Sequence, residues 1–128
     1  MQKTSKQTII NINDRTYIIN AFKGLKGWSY LPRLTKYIFP FVGFLSNANA
    51  TDDDMVETLV SLLSGENAKE VEQLVIELVA DVQTEGSRID FDTEFTQSYD
   101  SLLKLVVEVL KLNYMDSFQR LVTASTND

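Results

Sequence analysis

The sequence predicts a mostly helical α+β fold: an N-terminal β-hairpin followed by four to five helices in a single domain. Three observations carry that reading. A β-branched, alternating segment is confined to residues 7–22, apolar residues recur at helical spacing through residues 28–124, and 128 residues suit one core. Residues 1–6 and the tail 125–128 are polar and are expected to be flexible.

Within the hairpin, TIININ from Thr8 to Asn13 alternates polar and apolar, with Ile10 and Ile12 on one face. TYIINAF from Thr16 to Phe22 is rich in β-branched and aromatic residues, and Asn13, Asp14 and Arg15 between the two runs supply turn chemistry. Gly24 and Gly27 then read as a break before a helix. In WSYLPRLTKYIFPFVGFL, residues Leu31, Leu34, Ile38, Phe41, Val42 and Leu45 form one helical stripe. Ser29 is the expected N-cap, Pro32 falls in the first turn, and Pro40 should kink or end the helix near Phe39.

The polar stretch Ser46 to Asp54 offers Thr51 or Asp52 as a cap for a second helix, from about Asp53 to Ser64, with Met55, Val56, Leu59, Val60, Leu62 and Leu63 inward and Gly65 as its stop. Asn67 with Glu70 has capping-box spacing. Val71, Leu74, Val75, Leu78, Val79 and Val82 then make an unbroken stripe opposite Glu72, Glu77 and Asp81. Gly86 should end this third helix. SRIDFDTEF follows as a loop in which Asp90 or Asp92 caps a fourth helix, from about Thr93 to Leu112. From Leu102 to Leu112 only Lys104, Glu108 and Lys111 interrupt the apolar run, so this helix is either central in its own domain or partly shared with another copy, the first being favoured. After Asn113, residues Tyr114, Met115, Phe118, Leu121 and Val122 continue at helical spacing.

With neither cysteine nor histidine, the chain cannot build thiolate or imidazole metal sites, a cysteine nucleophile or a Ser-His-Asp relay. No catalytic, metal or cofactor-binding residues are assigned. Asp52, Asp53 and Asp54 lack EF-hand spacing and are read as helix-capping charge, and Asp90 and Asp92 as helix entry rather than an acid–base pair. Asn11, Asn13 and Asp14 interrupt the N-terminal apolar stretch too early for a signal peptide. The longest apolar run, Ile38 to Leu45, is far short of the roughly 20 residues of a membrane span. The expectation is a soluble, cytoplasmic chain without a membrane partner.

Net charge is −6 but uneven: residues 1–50 sum to +6 and residues 51–128 to −12. Such asymmetry favours attraction between unlike faces of neighbouring copies, hence a homo-oligomer. Lys23, Lys26, Arg33 and Lys36, interleaved with Trp28, Tyr30 and Tyr37, have the composition of a single-strand-binding surface. Tyr30 and Tyr37 fall beside the apolar stripe, however, so packing is the preferred reading over nucleic acid.

Taken in order, the hairpin, FKGLKGWSYLPRLTKYIFP from Phe22 to Pro40, the acid-rich helices, FDTEF from Phe91 to Phe95 and the closing LKLNYMDSF resemble the tail assembly chaperones of long-tailed, siphovirus-like bacteriophages. The matching elements are a Lys-Gly and Leu-Pro-Arg-Leu region running into an apolar helix, a Phe-Asp-x-x-Phe step, and Asn113 with Tyr114 ending an aliphatic helix. The resemblance implies a non-enzymatic protein that binds the tape measure protein, keeps it soluble and promotes tail tube assembly. It also implies a place in the host cytoplasm and absence from the mature virion. Family members are often made in a short form and a longer frameshifted form that recruits the tail tube protein; this chain corresponds to the short form.

Leu34, Ile38, Phe41, Leu45, Leu105 and Val109 are the expected client- or self-contacting positions, with Lys26, Arg33 and Lys36 as a charged rim. Two other classes compete: a small nucleic-acid-associated regulator using the basic N-terminal face, and an antitoxin-like helical adaptor.

Overall fold

The computed structural model describes residues 6–41, 51–118 and 120. The chain opens with β1 (Gln7–Ile12) and β2 (Arg15–Asn20), joined by Asn13 and Asp14. Both turn residues have positive φ, 51° and 67°, which makes a type I′ turn whose twist matches the strands. Ile12 pairs with Arg15, Ile10 with Tyr17 and Thr8 with Ile19, so the inner face carries Ile10, Ile12, Tyr17 and Ile19. The hairpin is thus as the alternation predicts.

Helix α1 (Gly24–Tyr37) differs from expectation at both ends. The two glycines lie inside its first turn, Lys23 is the N-cap, and Ser29 instead turns its hydroxyl back to the Lys26 carbonyl. The entropic cost of glycine is offset there because contacts from outside the helix hold the segment: the Gly27 amide donates to the Lys23 carbonyl, and the Gly27 carbonyl accepts from the Tyr114 hydroxyl. Pro32 consequently sits mid-helix, where it cannot donate to the Trp28 carbonyl. The helix ends at Tyr37, before Pro40: the amides of Ile38 and Phe39 both donate to the Leu34 carbonyl, and the residue preceding a proline disfavours helix.

Helix α2 (Asp52–Leu63) starts on a complete capping box, in which the Thr51 hydroxyl accepts from the Asp54 amide and the Asp54 carboxylate accepts from the Thr51 amide. Met55 and Leu59 are buried, whereas Val60, expected inward, is exposed. Helix α3 (Ala68–Leu78) buries Val71, Leu74, Val75 and Leu78 as its stripe predicts, with Val79 and Val82 beyond it. Asn67 occupies its N-cap position but makes no capping bond, so the box with Glu70 does not form.

Gly86 does not end α3. It lies, with φ +83° beside Glu85 at +52°, in the turn of a second hairpin, β3 (Gln83–Thr84) and β4 (Ser87–Arg88). This hairpin joins β2 through Ile18 and Gln83, giving an antiparallel sheet in the order β1-β2-β3-β4. The expected fourth helix is likewise divided into α4 (Phe91–Phe95) and α5 (Tyr99–Leu110), separated by Gln97 at φ +61°. A π-helical turn, Lys111–Met115, continues α5 into residues 116–118.

The core is built around α5, which packs on α2, α3, α4 and β1 and buries eight of its twelve residues. That burial decides between the two readings of this helix: it is central, and Lys104, Glu108 and Lys111 form its accessible edge, where Lys111 pairs with Asp52 at 3.0 Å. The expectations for Val42 and Leu45, for the polar stretch 46–50, for Leu121 and Val122, and for both flexible ends except Lys6 concern positions outside the described residues.

Two substitutions test this architecture in urea unfolding. Leu105→Ala removes a fully buried side chain from the centre of the core and should cost about 3 kcal/mol. Asp14→Gly relieves a left-handed residue in the type I′ turn and should stabilise by about 0.5 kcal/mol; a loss instead would contradict the turn assignment.

Candidate functional site

Helix α1 is apolar on two sides. Tyr30 and Leu34, with Ile38 just past the helix end, enter the core. On another side Gly24, Gly27, Trp28 and Leu31 recur at helical spacing and line a mainly apolar groove of about 540 Å³, closed opposite by Tyr114 and Phe118. Trp28 is 71% exposed at this groove and Leu25, three residues earlier, is 82% exposed.

The turn after α5 positions the far wall. The Asn113 side chain donates to the Val109 carbonyl at 2.9 Å, taking the place of a regular helical amide bond, and accepts from the Phe22 amide at 2.8 Å. The Tyr114 hydroxyl donates to the Gly27 carbonyl at 2.8 Å, and burial pushes that phenol's pKa up. Phe39 packs edge-to-face on Tyr114 and on Phe118 with centroids 5.7 Å apart, and Tyr114 lies tilted against Phe22 and Phe118 at 6.5 Å, so the four rings form one cluster. A Cβ on Gly27 would lie 3.6 Å from Phe22 and 3.8 Å from the Tyr114 hydroxyl, in ordinary contact with both.

Ion pairs fix α1 against α3. Arg33 makes a two-pronged contact with Glu77 at 2.8 and 2.9 Å and lies over the Tyr30 ring, while Lys26 pairs with Asp81 and lies over Phe22. Asp81 is also 3.4 Å from Arg88 on β4. Arg33 holds the Glu77 carboxyl below the usual carboxylate range, and Lys26 does the same for Asp81.

Of the positions expected to meet partners, Leu34, Ile38, Leu105 and Val109 lie in the chain's own core at 1% exposure or less, because α5 is enclosed and α1 turns this stripe inward. Phe41 is exposed and Leu45 lies outside the described residues. Of the expected rim, Lys26 and Arg33 face α3, whereas Lys36 makes no ion pair among the described residues and stacks on Tyr37. The sequence reading did not single out the exposed Leu25, placed Trp28 only within a basic aromatic segment, and noticed Asn113 and Tyr114 only as part of the family likeness, without their docking role. The available signal was the Gly24, Gly27, Trp28, Leu31 spacing, which becomes a stripe once the glycines are placed inside a helix.

A second polar cluster lies on the other side of the fold. Glu94, with only 7% of its side chain exposed, accepts from Arg15 at 2.5 and 2.8 Å and from the Tyr17 hydroxyl at 2.6 Å. Burial opposes ionisation, but these donors hold Glu94 below the usual carboxylate range, while burial and Glu94 push Tyr17 up to about 12. Its oxygens are occupied by partners within the protein, which makes it a clamp between α4 and the hairpin. Among the described residues no group of three or more acidic side chains is arranged to hold a metal ion.

Residues 13–126, which include α1 and both walls of the groove, match the family described as phage tail assembly chaperone protein, TAC. The chain belongs to that family. No curated protein and no solved structure matches it. Tail assembly chaperones are a non-enzymatic kind of protein, and in this one the groove and its ring-lined wall fall wholly within the matched region. No helix among the described residues of this tail assembly chaperone is long and apolar enough to cross a membrane.

The carboxyls make the chaperone's stability depend on pH. Glu94, Glu77 and Asp81 are each more acidic folded than unfolded, so as pH falls the unfolded chain binds protons first. Their contribution is complete above the ordinary carboxylate range and is lost below about pH 4.5. Glu108, raised by burial and by Asp52, acts in the opposite sense but alone. Urea titrations from pH 7 to pH 3 should show falling stability, and Glu94→Gln should cost about 1–2 kcal/mol at pH 7 and flatten the acid limb. A mutant curve parallel to wild type would remove Glu94 from this role.

Proposed function

We propose that this chaperone binds an amphipathic helix of the tape measure protein in the groove between α1 and the C-terminal helical turn, keeps that client soluble and thereby promotes tail tube assembly. The observation that carries the reading is the exposed Leu25 and Trp28 beside a groove lined by Phe22, Tyr114 and Phe118 and by two glycines of α1. A helix laid in such a groove is recognised by apolar anchors at i, i+3 and i+4, and an accessible tryptophan is a common energetic centre. Lys23 and Lys36 supply charge on the same helix.

The protein acts by holding, without catalysis, in the host cytoplasm, as a homo-oligomer that leaves before the virion is complete. Two of the four cations that suggested nucleic acid, Lys26 and Arg33, are matched by Asp81, just past α3, and by Glu77 within it, which favours the chaperone reading over a phosphate-binding regulator.

Co-expression with overlapping tape measure fragments tests the proposal: at least one otherwise insoluble fragment should remain in solution and co-purify. Trp28→Ala with Leu25→Ser should weaken capture about thirtyfold, the equivalent of about 2 kcal/mol, while stability changes little because both side chains are exposed. Equal capture by the double variant would exclude this groove, and failure of every fragment to be held would defeat the client reading.

A further inference from the structure

Strand β1 is an outer strand of the sheet, and its second edge meets no other strand among the described residues. In a two-residue hairpin the pair flanking the turn exchanges both backbone hydrogen bonds, so Ile12, Ile10 and Thr8 bond to β2, in phase with the bond from the Ala21 amide to the Lys6 carbonyl. The amides and carbonyls of Gln7, Ile9 and Asn11 therefore point away from the sheet. Natural edges are commonly guarded by an inward charge, a proline or a bulge; QTIINI contains no charge and no proline, and pairs with β2 without a skipped residue. Ile9 is 65% exposed on the outer face.

The geometry points to pairing of β1 with β1 of a second copy, antiparallel about a two-fold axis at Ile9. This names a surface for the self-association proposed above and rests on it. With Ile9 opposite its own counterpart, Gln7 falls opposite Asn11, and each outward amide and carbonyl of these residues meets a partner. Residues directly opposite share a face, so Ile9 meets Ile9 outside, and on the helix side Thr8 meets Ile10 and Lys6 meets Ile12.

Charge supports the same register. Beside Ile10 and Ile12 a cleft of about 280 Å³ is lined by Asp52, Asp53, Glu108 and Lys104. Lys111 pairs with Asp52 at 3.0 Å and with Glu108 at 3.5 Å, which leaves three carboxylates against two cations and Asp53 without an ion pair among the described residues. The second copy's Lys6 would enter that acidic cleft, and the symmetry repeats the contact. In a single chain Lys6 is paired with Asp116 at 3.2 Å, with both side chains more than half exposed, a contact of small worth and readily exchanged.

Sedimentation of the full chain across a micromolar concentration series tests the pairing. Wild type should move from 14.5 kDa toward twice that mass. Ile9→Lys and Ile9→Glu, each placing like charges opposite one another, should remain at 14.5 kDa where wild type has associated, and mixing the two variants should restore the larger species. Hydrogen exchange of unsubstituted protein gives a reading independent of mutation: the Ile9 and Asn11 amides should become protected as concentration rises. Wild-type association that persists in both single variants, association not restored by mixing, or Ile9 and Asn11 amides that stay unprotected would overturn the edge pairing while leaving self-association intact. A wild type that is monomeric throughout would overturn both.

Discussion

Everything in this fold is arranged around the need to enclose α5. Eight of its twelve residues are buried, and the enclosing surfaces come from α2, α3, α4 and β1. A helix apolar over most of its circumference must be surrounded, and a chain of this length has few elements with which to do so. Once α3 and α2 are committed to α5, α1 can reach the core only along one side, through Tyr30 and Leu34 and then Ile38. Among the described residues, its remaining apolar side meets Phe22 and the turn that follows α5. The open groove at Trp28 and Leu31 is the geometric remainder of that packing problem.

Much of the architecture was legible because it follows from period and punctuation. The hairpin showed as alternation, α3 as an uninterrupted stripe, and the start of α2 as a polar run that offers Thr51 or Asp52 as a cap ahead of clustered carboxylates, of which the structure uses Thr51. What escaped were features too short to have a period or lacking a distinctive residue. β3 and β4 are two residues each, and Gly86 between them looks the same in sequence whether it ends a helix or turns a hairpin. The break between α4 and α5 falls at Gln97, a residue that rarely signals a left-handed backbone. Gly24 and Gly27 misled for the opposite reason: their local preference is overridden by the bonds that Asn113 and Tyr114 make to this segment.

The site was less legible than the fold because apolar spacing identifies a face without saying what covers it. Leu34 and Trp28 are both large apolar residues on one helix, yet the first is wholly enclosed and the second mostly open. Charge was partly misleading in the same way. The basic first half and the acidic remainder do attract, but Lys26 with Asp81 and Arg33 with Glu77 satisfy part of that attraction within one molecule. The Asn113 and Tyr114 pair, noticed only as part of a family likeness, proves to hold the two walls of the groove together.

The π-helical turn at Lys111–Met115 has a further consequence for how this helix can change length. A wide turn of this kind holds one residue more than regular winding would, and each residue of an α-helix rotates the chain by about 100°. Loss of a single residue here would restore regular winding and leave Phe118 near its present bearing beside Phe39, whereas loss of one from the regular turns of α5 would swing Phe118 around the axis by about that angle. The wide turn is therefore the one place in this helix where a residue can be lost without putting Phe39 and Phe118 out of step.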